Sequence, residues 1–492
     1  MAGAFFGLDI ANTALAAAQT LMDVAGQNIA NDATPGYSRQ VADLATTAAY
    51  AQPDMGGTYT PQLGTGVDVS SVHRVRANYL DSLFRTTQSD VGLQSTLQNY
   101  LSTTQSVLNE PGSNGLSATM NRFFGDFQTL SQDPQSAAAR TSVQQDGQAL
   151  AAQVQQIYQG LQNVGLQAQT QATQDVQTAN ADLQQLANLN TTIAQAQALG
   201  QQPNDLLDKR DSVLDSLSSL MNINVSTQVT TVGQNQVTQV TVTTPASGGG
   251  AVTLVDGGQY GSLSVTPGAS GPQFTMSAQD AVSGTSSAIA PTGGSIGAAY
   301  QFVNQDLNPA SAGPPPSLMY QLNQAVSQLA SAVNAQQQAG FQNATGTWAA
   351  GPAFFTASGS GSPPISAANI QENPLIAQNA NYVAAASTSG AAGDGSNATL
   401  IADIAGQPSG PLSQYASFVS NVGGQVDLAQ NLGSTAQSLL TQVTSQRQQA
   451  AGVSINQEMT NLVQAQAMYT AASKVAQIMD SSLQALISAV QP

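Results

Sequence analysis

The sequence predicts a mainly α protein with an inserted β domain: a terminal α-helical coiled coil, a central antiparallel helical bundle and a small antiparallel β domain. Three observations carry that expectation. Apolar residues recur at heptad spacing at both ends, the Gln- and Ala-rich middle holds a helical period, and the period switches to short β-branched runs at Ile223.

Near the N-terminus, Leu8, Leu15, Met22 and Ile29 lie seven apart, with Ala11, Ala18 and Ala25 between them at alternating three-and-four spacing. A second stripe through Ile10, Ala14, Ala17, Leu21 and Val24 runs beside the first, so this helix is expected to have partners on more than one side. The C-terminus repeats the pattern over a longer distance. Ile455, Leu462, Tyr469, Ala476, Leu483 and Val490 share one heptad position; Ala465, Ala472, Met479 and Leu486 share the other. Ser454 and Gln457 read as a capping box that opens this helix after Gly452. A lone hairpin of two such helices buries little against the entropy of ordering them. Pairing of the chain ends inside an assembly of copies fits better, and these rows are the candidate subunit interface.

The middle reads as an antiparallel bundle from about residue 78 to 221. Val143, Leu150, Ile157 and Val164 are seven apart; "LGQQPND" breaks the run at Gly200 and Pro203, and Leu207, Leu214 and Met221 resume it. Asp205 and Lys209 form an i,i+4 pair. Runs such as "INVSTQVTTV" and "QVTQVTVTT" then predict a β insertion that is peripheral and removable. Helix returns with Leu322, Val326, Leu329 and Val333 on one face, and the Gly/Ser/Pro-rich stretch 340–373 reads as loop with one hairpin near Phe354 and Phe355. The last helical material runs from Leu412 to Val490, broken near Gly452. The expected division is 1–60 with 440–492 as the terminal coiled coil, 61–222 with 296–439 as the bundle, and 223–295 as the β insertion.

Charged residues make up only 8% of the chain, and 10 basic against 27 acidic residues give a net charge of −17. No basic stripe is available for a phosphate backbone or an anionic lipid surface, so neither nucleic acid nor membrane is an expected partner. The chain has no cysteine, which removes disulfides and thiolate metal sites. No Lys or Arg precedes Arg39, so the positive start of a cleaved secretory leader is missing and export is expected to proceed without one.

Catalytic chemistry finds little footing. The single histidine, His73, stands beside Arg74 and Arg76 and reads as a polar surface residue between Val72 and Val75. "GGSIG", residues 293–297, matches a nucleophile elbow, but no histidine follows Ser295 to activate it. Asp394-Gly395 reads as a turn rather than a calcium loop. No catalytic, cofactor-binding or metal residue is assigned. A hydrolase would need a carboxylate in a cleft, and the only glutamates are Glu110, Glu372 and Glu458, the last in a helix-capping position.

One stretch is specific. "GQNIANDATPGYSRQ", residues 26–40, resembles the start of the flagellar axial proteins, and its "TPGYSRQ" ending resembles the hook-associated family of the hook–filament junction. "PNDLLDKRDSVLDSLSSLMNINV", "GGSIGAAYQFVNQDLN", "LNQAVSQLASAVNAQQQAG" and "GVSINQEMTNLVQAQAMYTAASKVAQIMDSSLQALI" are similar to later segments of that family. The resemblance implies a structural adaptor of the bacterial flagellum, outside the cell. Its ends would line an inner tube, its bundle a middle layer and its β insertion the outer surface. The implied partners are the hook protein, the second hook–filament junction protein, other copies of the chain in a ring or helical layer, and a flagellar export chaperone. The alternatives are another axial subunit, hook or rod, or a secreted hydrolase. Within the quoted stretch, Pro35 disfavours helix at Thr34, so the first helix should stop around Ala33. Pro35-Gly36 suits a type II turn. Tyr37 and Arg39 then emerge beside the coiled coil and, given the resemblance, are expected to contact a neighbouring subunit.

Overall fold

The computed structural model describes residues 3–490 apart from 52–61, 270, 314–315 and 360–362. Its spine is one helix, α4 (Ala137–Ala198), of 62 residues, about 93 Å at 1.5 Å per residue. Before it come α1 (Gly3–Ala30), β1 (Gln40–Thr46), β2 (Tyr50–Ala51), β3 (Gln62–Leu63), β4 (Val67–Arg74), α2 (Asn78–Leu108) and α3 (Leu116–Gln132). After it come α5 (Asn204–Leu220) and the strands β5 (Asn224–Val232), β6 (Asn235–Pro245), β7 (Ala251–Asp256), β8 (Gln259–Tyr260), β9 (Leu263–Pro267), β10 (Phe274–Gln279) and β11 (Ser286–Ile289). Then follow α6 (Gly294–Gln301), running into a π-helical turn, α7 (Leu318–Ala339), β12 (Phe341–Gln342), β13 (Ala349–Ala350), β14 (Phe355–Ala357) and β15 (Ile370–Glu372). The chain closes with α8 (Pro374–Gln378), α9 (Ser396–Ala402), α10 (Pro411–Ala451) and α11 (Ile455–Val490).

The heptad row that predicted a bundle is the buried face of α4: Val143, Leu150, Ile157, Val164, Val176 and Leu183 are all buried. Ser136 caps the helix by accepting the Ala139 N–H at 3.3 Å. α4 ends at Ala198 and α5 begins at Asn204, where "LGQQPND" breaks the period. At the N-terminal half of the spine, Phe123 is ringed by Phe124, Phe127, Phe354 and Phe355 at centroid distances of 5.2–5.8 Å. β14 pairs with β15, which gives the expected hairpin at Phe355. α2 runs antiparallel to α10: Arg447 lies against Asp81 and Phe84 at one end, Glu110 beside Tyr415 at the other.

Two findings revise the expected division. β1 and β4 pair antiparallel from Gln40↔Arg74 to Thr46↔Val67, so a boundary at residue 60 would cut one sheet in two. α10 is continuous to Ala451, with the helix break at Gly452 as expected, so a domain boundary at 440 would cut this helix. The strands β1 and β4 are largely half-buried or exposed on both faces, which left their alternation too weak to read against a helical background.

The β insertion is also less separable than its sequence implied. Its four-stranded sheet (order β5-β6-β7-β8) and three-stranded sheet (order β11-β10-β9) are antiparallel. Val240, Val242, Leu254, Leu263, Phe274 and Met276 belong to the same continuous core as Leu183 and Leu186 of α4. Polar ties run across the contact. Asn190 donates to Val240 O at 3.3 Å and Gly257 O at 2.9 Å, and Asn180 both donates to and accepts from Leu263. The sheets therefore cover the C-terminal half of the spine. Replacing residues 226–285 with a Gly/Ser linker should uncover that apolar face and lower the melting temperature of the whole bundle. An unchanged, cooperative melt by circular dichroism would mean the insertion is dispensable after all.

Candidate assembly surface and the joint beneath it

α1 and α11 pack antiparallel, with Gly7 against Met479 and Asn28 against Glu458. Their shared seam is made of alanine: Ala11, Ala18 and Ala25 on α1, and Ala465 and Ala472 on α11, are buried. Small side chains let the helices approach closely but bury little area. The second stripe of α1 meets the β1–β4 sheet: Leu21 and Val24 face Val41 and Ala42 across a groove of about 280 Å³. The two expected partners of α1 are thus both present within the chain.

The larger residues of the heptad rows are only partly covered. Leu8, Leu15, Met22, Ile29, Leu462 and Leu483 are half-buried, whereas Ile455 and Tyr469 are exposed. Val463 and Ile478 beside them are 59% and 60% exposed. Leu486 lies in α11, but its side chain is outside the described residues.

Behind this pair, the turn after α1 is fixed by one side chain. Asn28, fully buried, accepts from Tyr37 Oη at 2.8 Å and Gln40 N at 2.9 Å through Oδ1. Its Nδ2 donates to Gln40 O at 2.9 Å and to Glu458 Oε2 at 3.2 Å. Both lone pairs and both protons of the amide are used. The helix ends at Ala30, and Tyr37 N–H reaches Thr34 O at 3.2 Å across Pro35-Gly36, with Gly36 at φ +81° as a type II turn requires.

Tyr37 and Arg39, expected to reach a neighbouring subunit, are engaged inside the chain. Burial and the nearby Asp205, Asp208 and Glu458 carboxylates push the Tyr37 phenol up to about 12, so it stays a donor to Asn28. Arg39 lies 3.6 Å from Glu458, and its backbone N–H donates to Ala451 O at 2.9 Å.

Below the turn lies a joint that the sequence reading missed. Arg74, Arg76, Arg85 and Arg447 meet Asp81, Asp208, Asp211 and Asp215, drawing β4, α2, α5 and α10 together. Asp211 alone contacts Arg74 at 2.6 Å, Arg85 at 3.1 Å and Arg76 at 3.2 Å. Ser38 links the turn to it, donating from N and Oγ to Asp208 at 3.0 and 2.7 Å. Arg447 also lies over the Phe84 ring at 4.2 Å. Burial pushes Asp211 up, but Arg74, Arg76 and Arg85 overcome it and hold the carboxyl below its ordinary range. Burial lowers the neighbouring Arg210 to about 10, which leaves it charged near neutral pH. The available signal was Asp208, Asp211 and Asp215 at i, i+3 and i+7, one helical face, in a chain with few charges.

The other residues singled out earlier sit apart from one another. Ser295 Oγ donates to Asp175 Oδ2 at 2.5 Å, a tie between α6 and α4. His73 pairs with Asp43 at 3.0 Å on the half-exposed β1–β4 sheet. Asp394 accepts backbone N–H groups from Ser387, Thr388 and Ser396, which builds a turn. Glu110 accepts from Ser117 N at the start of α3. Glu372 is buried on β15, and burial raises it to about 7.

The family model described as the flagellar hook-associated protein FlgK helical domain matches residues 79–355, more than half of the chain. The chain belongs to the FlgK family. The model of the flagellar basal body rod FlgEFG protein C-terminal region matches residues 444–489, which hold the end of α10 and most of α11. The chain is 29% identical to flagellar hook-associated protein 1 of Bacillus subtilis, over 99% of both chains. It is 24% identical to flagellar hook-associated protein 1 of Escherichia coli K12, over 97% of this chain and 98% of the relative. The solved structure of the flagellar hook junction protein FlgK from Burkholderia pseudomallei is similar in fold, with a TM-score of 0.60 and 16% identity. That match covers 76% of this chain and all of the other.

Two substitutions probe this FlgK-family joint. Asn28→Ala leaves the half-buried Tyr37 hydroxyl and three buried groups of Gln40 and Glu458 short of a bond, and at about 1–3 kcal/mol for a buried unsatisfied group the docking of α1 on α11 should be lost. Hydrogen exchange should then rise across residues 10–40 while α4 stays protected. Asp211→Ala leaves three partly buried guanidinium groups without their shared anion and should cost about 3–5 kcal/mol in urea unfolding. Arg122→Ala, which breaks an exposed pair with Asp146, should cost at most about 1 kcal/mol. Because the folded Asp211 carboxyl titrates below its unfolded value of 3.8, its contribution is present above that pH and lost as pH falls through the folded value. Wild type and Asp211→Ala should therefore converge in stability under acid.

Proposed function

We propose that the chain is a non-enzymatic adaptor that assembles on the tip of the flagellar hook and joins hook to filament through a second junction protein. The observation that carries this reading is the terminal helix pair. Its alanine seam holds α1 to α11, while among the described residues the larger apolar residues of the rows and beside them are only half-covered or, as at Ile455, Val463, Tyr469 and Ile478, exposed. In a single soluble chain such rows are a liability; between copies they are a contact surface. Copies would pack through Leu8, Leu15, Met22, Ile29, Ile455, Leu462, Tyr469, Leu483 and Leu486 into a ring or helical layer. Tyr37 and Arg39 would support that contact from behind, by holding the turn.

The terminal helices with the β1–β4 sheet would then form the inner layer, the bundle the middle and the sheets β5–β11 the outer. The joint would pass load between the first two. Names of the relatives support the location at the hook junction. Secretion by the flagellar export apparatus, with a chaperone covering the terminal rows, fits the same reading. A hook or rod subunit is the second reading, favoured by the rod-type match at residues 444–489. Immunogold labelling of purified hook–basal bodies separates them: a short zone at the hook tip supports the adaptor, label along the hook or rod overturns it.

Leu15 and Leu483 keep part of their surface in solvent, where a carboxylate stays hydrated, so Leu15→Asp or Leu483→Asp should lower the monomer's stability by about 1 kcal/mol at most. Between copies the same carboxylate would be buried unpaired at a cost of several kcal/mol. Either variant, once shown to be exported, should therefore abolish the hook-tip zone and the filament. Destabilisation of the monomer by about 2–5 kcal/mol, as for a core Leu→Ala change, would make the seam an internal core instead.

A further inference from the structure

β5 is an edge strand of nine residues, Asn224–Val232, that pairs only with β6 among the described residues. Every residue of it except Val225 is exposed, with Val229 at 57% and Val232 at 50%. Edge strands of this length are normally protected by a charge, a proline or a bulge. β5 has none of these: its register with β6 is unbroken, and no charged residue occurs between Asp215 and Asp256.

The hairpin geometry fixes which groups are free. β5 and β6 are joined by the two-residue loop Gly233-Gln234, with Gly233 at φ +65° as a type II′ turn needs. In such a hairpin the closing pair, Val232 and Asn235, exchanges hydrogen bonds, and so does every second pair beyond it. The N–H and C=O groups of Val225, Thr227, Val229 and Thr231 therefore point away from β6, toward solvent.

We propose that β5 is a self-association edge, at which a second copy of this chain adds its own β5 antiparallel about a two-fold axis at Gln228. The occupant follows from charge and register. At −17 the copies repel over most of their surface, and the uncharged hairpin is a place where two can meet without that cost. The register is self-complementary: centring on Gln228 sets Thr227 opposite Val229 and Val225 opposite Thr231. Both pairs join residues whose backbone groups face outward, so the free donors and acceptors match, and β-branched side chains oppose each other. Gln228 then faces its own copy in a non-hydrogen-bonded pair, with Cα atoms about 4.5 Å apart. This contact is two-fold and separate from the terminal helices, so it stands whether or not those helices build a flagellar layer.

The chain has no cysteine, so single cysteines report cleanly. Gln228→Cys should oxidise to a covalent dimer, because its copy lies opposite within disulfide reach. Thr230→Cys, on the same exposed strand, faces Ser226 of the other copy and sits roughly 14 Å from its own, so it should stay monomeric. Thr227→Pro removes an outward N–H that the hairpin does not use, and should weaken dimerisation at least about tenfold in sedimentation equilibrium with the melting temperature unchanged. All three are made in full-length Leu15→Asp, which blocks association through the terminal rows. Selective cross-linking at residue 228 with loss of the dimer in Thr227→Pro supports the edge contact. Equal cross-linking at 228 and 230, or a parent that stays monomeric at every concentration with no cross-link at 228, overturns it.

Discussion

The Asn28 amide is the constraint on which the terminal part of the molecule depends. α1 has to stop, reverse and hand the chain to β1 while α11 arrives from the far end of the sequence. An asparagine has two acceptor sites and two protons, and here each meets a different obligation: the Tyr37 hydroxyl, both backbone groups of Gln40, and Glu458. A carboxylate in its place would lack the donors, and an aliphatic side chain would satisfy none of the four. The Pro35-Gly36 turn supplies the reversal, and the amide makes it point in one direction.

Charge is used sparingly, and where it occurs it is concentrated. Arg39, Arg74, Arg76, Arg85, Arg210 and Arg447 gather where the terminal unit meets the bundle, leaving Arg122 and Arg140 as the only arginines elsewhere. Planar guanidinium groups can each bind two carboxylates, so a few residues join four elements in fixed directions. Partial burial strengthens those bonds and makes each of them costly to break singly. A joint of this kind resists bending more than sliding apolar faces would.

Elsewhere the surface is Gln, Ser and Thr, and the proposed contacts fall where apolar or backbone groups are left uncovered. The alanine seam pairs α1 with α11 but leaves the leucine, isoleucine and methionine rows only partly covered, with Ile455, Val463 and Ile478 exposed. β5 likewise leaves one line of backbone groups free. In both places the chain is complete as a fold and incomplete as a surface. The core shared by α4 and the sheets has no such gap, since its apolar residues are covered on every side.

The helices and the β insertion were legible because periodicity is local: a heptad row or a β-branched run sits within a few turns of chain, whatever it packs against. Chain breaks at Gly200, Pro203 and Gly452 were legible for the same reason. What tertiary structure alone decided was which far-separated residues meet. Tyr37 and Arg39 carry the side chains of a subunit contact, yet they close on Asn28 and Glu458 because α11 returns beside the turn. Asp208, Asp211 and Asp215 look like a solvated helix face until β4, α2 and α10 bring arginines to it. The sequence states the chemistry of each such group, and only the packing of distant elements states its partner.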